Sequence, residues 1–206
     1  RFISNWKTNK VTDITSLFDG CSSLKAIPDI SKWNTNSVIN MDKIFLECCS
    51  LEEIPDISQW DVSNVITISN MFSGCTSLKS LPDISQWKAK SLIDIEGIFS
   101  GCSTLASLPD ITKWEANEIS YIEDFILGCS SLVLLPDFSK WKINTKCANE
   151  LKKEINNLIS SNEENNSSSL NISNNNSSSF KSSDSEDHQK NINLYSFNDF
   201  NFNNKS

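Results

Sequence analysis

The stretch WDVSNVITISNMFSGCTSLKSLPDISQ, residues 60–86, runs into Trp87, where the same pattern starts again. Trp6, Trp33, Trp60, Trp87, Trp114 and Trp141 step by 27 residues, as do Cys21, Cys48, Cys75, Cys102 and Cys129. Pro28, Pro55, Pro82, Pro109 and Pro136 keep the same step. A fixed period of this size marks a chain built of stacked copies. The complete units are 6–32, 33–59, 60–86, 87–113 and 114–140, and Trp141 opens another. Residues 1–5 match the end of a copy, so the chain reads as a fragment with further copies upstream.

Within each unit the apolar positions keep their type. Val11, Val38, Val65, Leu92 and Ile119 form one series; Ile14, Met41, Ile68, Ile95 and Ile122 form the next. Leu24, Leu51, Leu78, Leu105 and Leu132 follow each ladder cysteine by three residues. One copy has too few such residues to bury a core, so the core must be shared between copies. The spacing Val-x-x-Met-x-x-Ile-Phe predicts a short helical turn. Gly20, Gly74, Gly101 and Gly128 suit its left-handed end, and Glu47 stands at that place in the second copy. Ser-Leu-x-x-Leu-Pro-Asp-Ile predicts a short parallel strand stopped by proline.

Phe-x-Gly-Cys-x-x-Leu followed by Leu-x-x-Leu-Pro-Asp-Ile resembles the BspA-like branch of the leucine-rich repeats. It is also similar to the short surface-protein repeat of wall-less bacteria. The resemblance covers residues 1–145. It implies a curved solenoid used for binding, on cell surfaces in bacterial members and inside cells in others, and it supplies no catalytic residues. The expected fold is therefore a leucine-rich-repeat-like solenoid of parallel β-strands with short helical turns over 1–145. An amphipathic capping helix over 146–161 and a disordered Asn/Ser-rich tail over 162–206 complete it. In the helix, Leu151, Ile155 and Leu158 are expected to pack on the fifth copy, against Val133 or Leu134; a partner-binding helix is the alternative.

Composition narrows the function classes. The net charge is −8 with no basic face, which argues against nucleic acid as a partner. No apolar run approaches the roughly 20 residues of a membrane helix. The single histidine, His188, lies in the tail, so no Ser-His-Asp or Cys-His pair is available in the repeats. Five cysteines in register point the same way and suit buried free thiols better than disulfides. This leans weakly to a cytoplasmic, reducing compartment, with the cell surface as the alternative. No cofactor, metal or small-molecule substrate is expected. Asp29, Asp56, Asp83, Asp110 and Asp137 form a row of carboxylates, read as turn caps with a row of Ca²⁺ ions as the lesser alternative. The tryptophans are read as core rather than as an exposed aromatic strip.

Between these constant positions the charge varies freely. Lys25, Glu52, Glu53 and Lys79 precede the second leucine, while Asp61, Lys88, Lys90, Glu115 and Glu118 follow the tryptophans. These are the candidate recognition residues; drift on solvated loops is the alternative. The expected function is a non-enzymatic scaffold for an unknown protein partner. A surface or secreted adhesin, or a repeat array regulating an upstream enzyme domain, are the alternatives.

Overall fold

The computed structural model describes residues 3–116, 118–138, 141 and 143–174, the side chains of 163–174 excepted. The expected leucine-rich-repeat solenoid of parallel strands is not there. Among the described residues no β-strand forms, and the β-type pairing between copies is limited to isolated parallel bridges. Two of these, Glu53 with Ser80 and Ser107 with Leu134, fall where the strands were expected. Four others run Asp13–Asn40–Thr67–Asp94–Tyr121, inside the stretch expected to be helical. That stretch holds turns rather than helix.

Its hydrogen bonds explain both departures. In the third copy the N–H groups of Ile68, Asn70, Phe72 and Gly74 donate to Asp94, Glu96, Ile98 and Ser100 of the next copy, at 2.7–3.0 Å. The N–H groups of Met71, Ser73 and Cys75 between them donate back three residues, to Ile68, Asn70 and Phe72, at 3.1–3.2 Å. Alternate donors therefore serve the turn and the neighbour. A helix needs every N–H turned inward along its own axis, and a strand needs its residues extended. Neither condition is met, although the apolar residues keep a spacing that both periodicities partly satisfy.

Left-handed residues maintain this winding. Gly20, Gly74, Gly101 and Gly128 have φ of +68° to +75°, and Glu47 adopts φ +55° at the same place. A second left-handed column comprises Ser16, Lys43, Asn70, Gly97 and Asp124, with φ near +55°. Such φ values cost non-glycine residues about 1–2 kcal/mol, so the inter-copy bonds at Ser16, Lys43 and Asn70 hold the backbone against a local preference.

The core lies between the turns of successive copies. Phe18, Phe45, Phe72 and Phe99 stack with ring centroids 5.6–6.0 Å apart. Trp33, Trp60, Trp87, Trp114 and Trp141 are buried, whereas Trp6 is 52% exposed. The indole N–H groups of Trp33, Trp60, Trp87 and Trp114 donate to carbonyls 30 residues earlier, those of Ile3, Ile30, Ile57 and Ile84. Each indole thus fills space and satisfies its one donor. In Trp141 the buried indole N–H has no such partner.

One α-helix, α1 (Thr145–Asn174), closes the described structure. Asn144 caps it, its Oδ1 accepting from Cys147 N–H at 2.9 Å while its Nδ2 donates to Ile119 of the fifth copy at 2.9 Å. Cys147, Ala148, Leu151 and Ile155 are buried; Leu158 and Ile159 are partly so. Val133 is half-buried and Leu134 stays 52% exposed. The helix runs through 162–174, which the composition marked as disordered. Ser160 and Ser161 turn their hydroxyls onto the carbonyls of Asn156 and Asn157, four residues back. The rest of the expected tail, 175–206, lies outside the described residues.

Candidate functional site: the side-chain columns and the closed end

Residue types that carry chemistry elsewhere are bonded into the winding here. Asp29, Asp56 and Asp83 accept from the N–H of Ser31, Ser58 and Ser85 at 2.9–3.0 Å. Asp110 accepts from the Thr112 hydroxyl. Bonds from these serines hold Asp29, Asp56 and Asp83 below the usual carboxylate range. The same turn recurs at two positions that the sequence did not single out. One holds Asp13, Asn40 and Asp94, and the other holds Asn34 and Asp61. Among the described residues no group of three His, Cys, Asp or Glu side chains is placed to hold a metal ion.

The cysteines are free thiols. Cys48, Cys75, Cys102 and Cys129 point one S–H each at the carbonyl of Phe18, Phe45, Phe72 and Phe99, at 3.0–3.1 Å. Burial pushes the Cys48 thiol up to about 11 and those of Cys75 and Cys129 to about 12, with Cys102 raised as well. A thiol that stays protonated at neutral pH is a poor nucleophile. Cys21 is exposed and Cys49 half-buried.

All nine charged candidates for recognition are exposed. Four of them pair between adjacent copies. Lys79 Nζ lies 2.6 Å from Glu52, and Lys90 Nζ lies 3.3 Å from Glu115. Lys25 also acts on Glu52, and Lys88 on Asp61, each holding the carboxylate down after its hydrogen-bond partner. Signs alternate down two columns: Lys25, Glu52, Lys79, and Asp61, Lys88, Glu115. Glu53 takes part in a backbone bridge with Ser80. Glu118 is exposed, and its carbonyl accepts from the Ser120 hydroxyl. The nine residues therefore do not converge on one pocket.

Convergence occurs at the end of the stack, through a residue outside the repeats. In the fourth copy Ile95, Gly97, Phe99 and Gly101 donate to carbonyls of the fifth. The fifth copy has no complete successor within the described residues. Its Ile126 N–H donates to Glu154 Oε2 of α1 at 2.9 Å, and Phe125 N–H donates to Oε1 at 3.1 Å. The Asp124 N–H adds a smaller pull on the same carboxylate. Burial is the larger influence on Glu154 and raises its pKa, although these backbone bonds oppose it. Ile122 N–H is taken by Glu123 Oε2 at 3.1 Å, and Lys146 Nζ sits 2.7 Å from Glu123 Oε1. Beside Glu154 a cavity of about 140 Å³ opens between α1 and the fifth copy, lined by Ile126, Leu127, Gly128, Cys129, Leu158 and neighbouring polar groups. Glu154 carries no signal in the period, and only its place on the helix face between Leu151 and Leu158 marks it.

The comparisons with known proteins follow the repeats. The family model described as "Mycoplasma protein of unknown function, DUF285" matches residues 1–107, 52–168 and 79–195. No curated protein matches. Among solved structures, a leucine-rich repeat protein of T. pallidum is 22% identical, with 69% of this chain and 76% of that one covered and a TM-score of 0.35. A leucine-rich cell surface protein of Faecalibacterium prausnitzii is 25% identical, with 61% and 36% covered and a TM-score of 0.33. Superpositions at that level carry no argument. With strands lacking among the described residues, the resemblance to BspA-like leucine-rich repeats is set aside. The binding-scaffold function taken from it, with its adhesin and enzyme-regulating variants, is set aside too.

Proposed function

The chain belongs to that family, and we propose that it is a non-enzymatic structural column that holds α1, and whatever continues from it, at a fixed separation from the first copy. One observation carries this reading: the thiol, carboxylate and indole columns are each bonded to the fold itself, mostly across copies. Groups committed in this way are not free to bind and turn over a substrate. The charged columns serve the same end in this reading. Alternating Lys and Glu match each copy to its neighbour, and a one-copy slip brings like charges together. Free thiols support a reducing compartment. Among the described residues no helix is long and apolar enough to cross a membrane.

Native-state hydrogen exchange on the full chain tests the proposal. The amides of Phe45, Phe72 and Phe99 donate between copies, so in a rigid column they exchange together, through one global opening. Separate opening free energies for successive copies contradict the column. Turnover of a simple ester, phosphoester or glycoside by the purified chain contradicts the non-enzymatic part.

A further inference from the structure

The end of the stack has one open rung. Four inter-copy donors recur in each copy, and in the fifth they are Ile122, Asp124, Ile126 and Gly128. Carboxylates of Glu123 and Glu154 meet the first three. Among the described residues Gly128 N–H has no partner. Its counterparts at Gly20, Glu47, Gly74 and Gly101 each donate to a main-chain carbonyl of the next copy at 2.7–2.8 Å. Gly128 lines the cavity of about 140 Å³. A second difference from the earlier copies accompanies it. In each earlier copy the carbonyl of Phe18, Phe45, Phe72 or Phe99 receives a thiol from the copy that follows. The corresponding carbonyl belongs to Ile126, a cavity-lining residue, and among the described residues it receives only the local Cys129 N–H.

We propose that this cavity is a binding site for one extended peptide segment of the form x-Gly-Cys. The carbonyl of x accepts from Gly128 N–H, and the cysteine thiol donates to the Ile126 carbonyl. Ile126, Leu127 and Leu158 surround its apolar atoms. The choice of occupant follows from continuity with the interface already present four times in this chain: each successive copy fills the same place with an x-Gly-Cys segment, or in the second copy with Leu46-Glu47-Cys48. α1 covers the Glu154 side of that place and leaves the Gly128 side open. The site is local to the stack's end and stands independently of the structural role proposed above.

The full chain, ¹⁵N-labelled and kept reduced, is titrated with acetyl-Leu-Gly-Cys-amide. The chain has five glycines, so their amide signals are readily separated. The Gly128 proton is expected to move downfield and saturate, while Gly20, Gly74, Gly97 and Gly101 stay in place. Acetyl-Leu-Gly-Ala-amide, without the thiol donor, is expected to bind more weakly. Leu158→Trp, which fills the cavity, is expected to weaken binding by about tenfold or more. Ser161→Phe does the same from the exposed mouth, should the first variant fail to fold. An unmoved Gly128 signal, a common shift of all five glycines, or undiminished binding by a folded filling variant each overturns the proposal.

Discussion

Glu154 Oε2 stands under Ile126 N–H at 2.9 Å in the role that the Phe125 carbonyl plays under Phe99 N–H at 3.2 Å. A side chain from a helix thus replaces the backbone of a further copy. The replacement brings a negative charge into a largely enclosed place, and the N–H dipoles that converge on it offset part of that cost.

Glu154→Ala is expected to destabilise the chain by about 1–3 kcal/mol, because it strands buried donors. Urea unfolding measures this. Glu154→Gln keeps one carbonyl acceptor and is expected to lose less. The pH dependence has a definite sign. Burial raises the folded-state pKa above its ordinary 4.5, so the folded state holds the proton longer than the unfolded chain. The stability contributed by this group is full below 4.5 and falls as pH rises through the higher folded value. Glu154→Gln is expected to remove that falling limb, and an unchanged pH profile in the variant contradicts the assignment.

Cys21 and Cys49 are expected to react quickly with an aromatic disulfide reagent in the native protein. Cys48, Cys75, Cys102, Cys129 and Cys147, all buried, are expected to wait for unfolding. Rapid reaction of the buried set at neutral pH contradicts the stacking of the thiols beneath the phenylalanine carbonyls.

Trp87→Ala is expected to cost about 3–5 kcal/mol, since it empties a large buried site and removes the indole N–H that donates to the Ile57 carbonyl. Trp6→Ala is expected to cost much less, because Trp6 is half exposed. Equal losses in denaturant titrations of the two variants contradict the burial pattern.

Glu47→Gly is expected to stabilise the chain by about 1 kcal/mol, because glycine accepts φ +55° without strain. Gly101→Ala is expected to destabilise it: φ is +72° and the added Cβ comes within 3.4 Å of Gly74 Cα. Thermal unfolding of both variants checks the pair of opposite signs.

Lys79→Glu and Glu52→Lys each place like charges in one column, and the double exchange restores the pair. Both groups are exposed, so the coupling is expected to be small and to fade with salt. A double-mutant cycle showing no coupling at low salt contradicts the role given to these columns.

Several of these features were legible in the residues. The period, the burial of Trp33 through Trp141, the free thiols and the Asp29, Asp56 and Asp83 turns all follow from residue type and register. The left-handed strain at Glu47 follows from the glycines that share its column. The companion column of Ser16, Lys43, Asn70, Gly97 and Asp124 escapes such reading, because inter-copy bonds hold φ in its first four members and five residue types fit the column. The winding itself was misread. Ile68, Met71 and Phe72 keep helical spacing while their N–H groups alternate between two destinations, and no side-chain pattern records where a backbone donor points. Glu154 was hidden because its partners are main-chain atoms in a different copy.

The alternation of donors also gives the stack a direction. Along the turn, each copy sends every second main-chain N–H forward and takes a thiol from the copy ahead, so one directed joint is repeated throughout. Excising or duplicating one whole 27-residue unit leaves a joint of the kind already present, with only the charged columns out of step. A gain or loss of any other length turns forward donors into local ones and breaks every joint it reaches. A lineage carrying such a chain can therefore change the distance it spans by recombination between its own copies, in increments set by the winding rather than by selection on each new boundary.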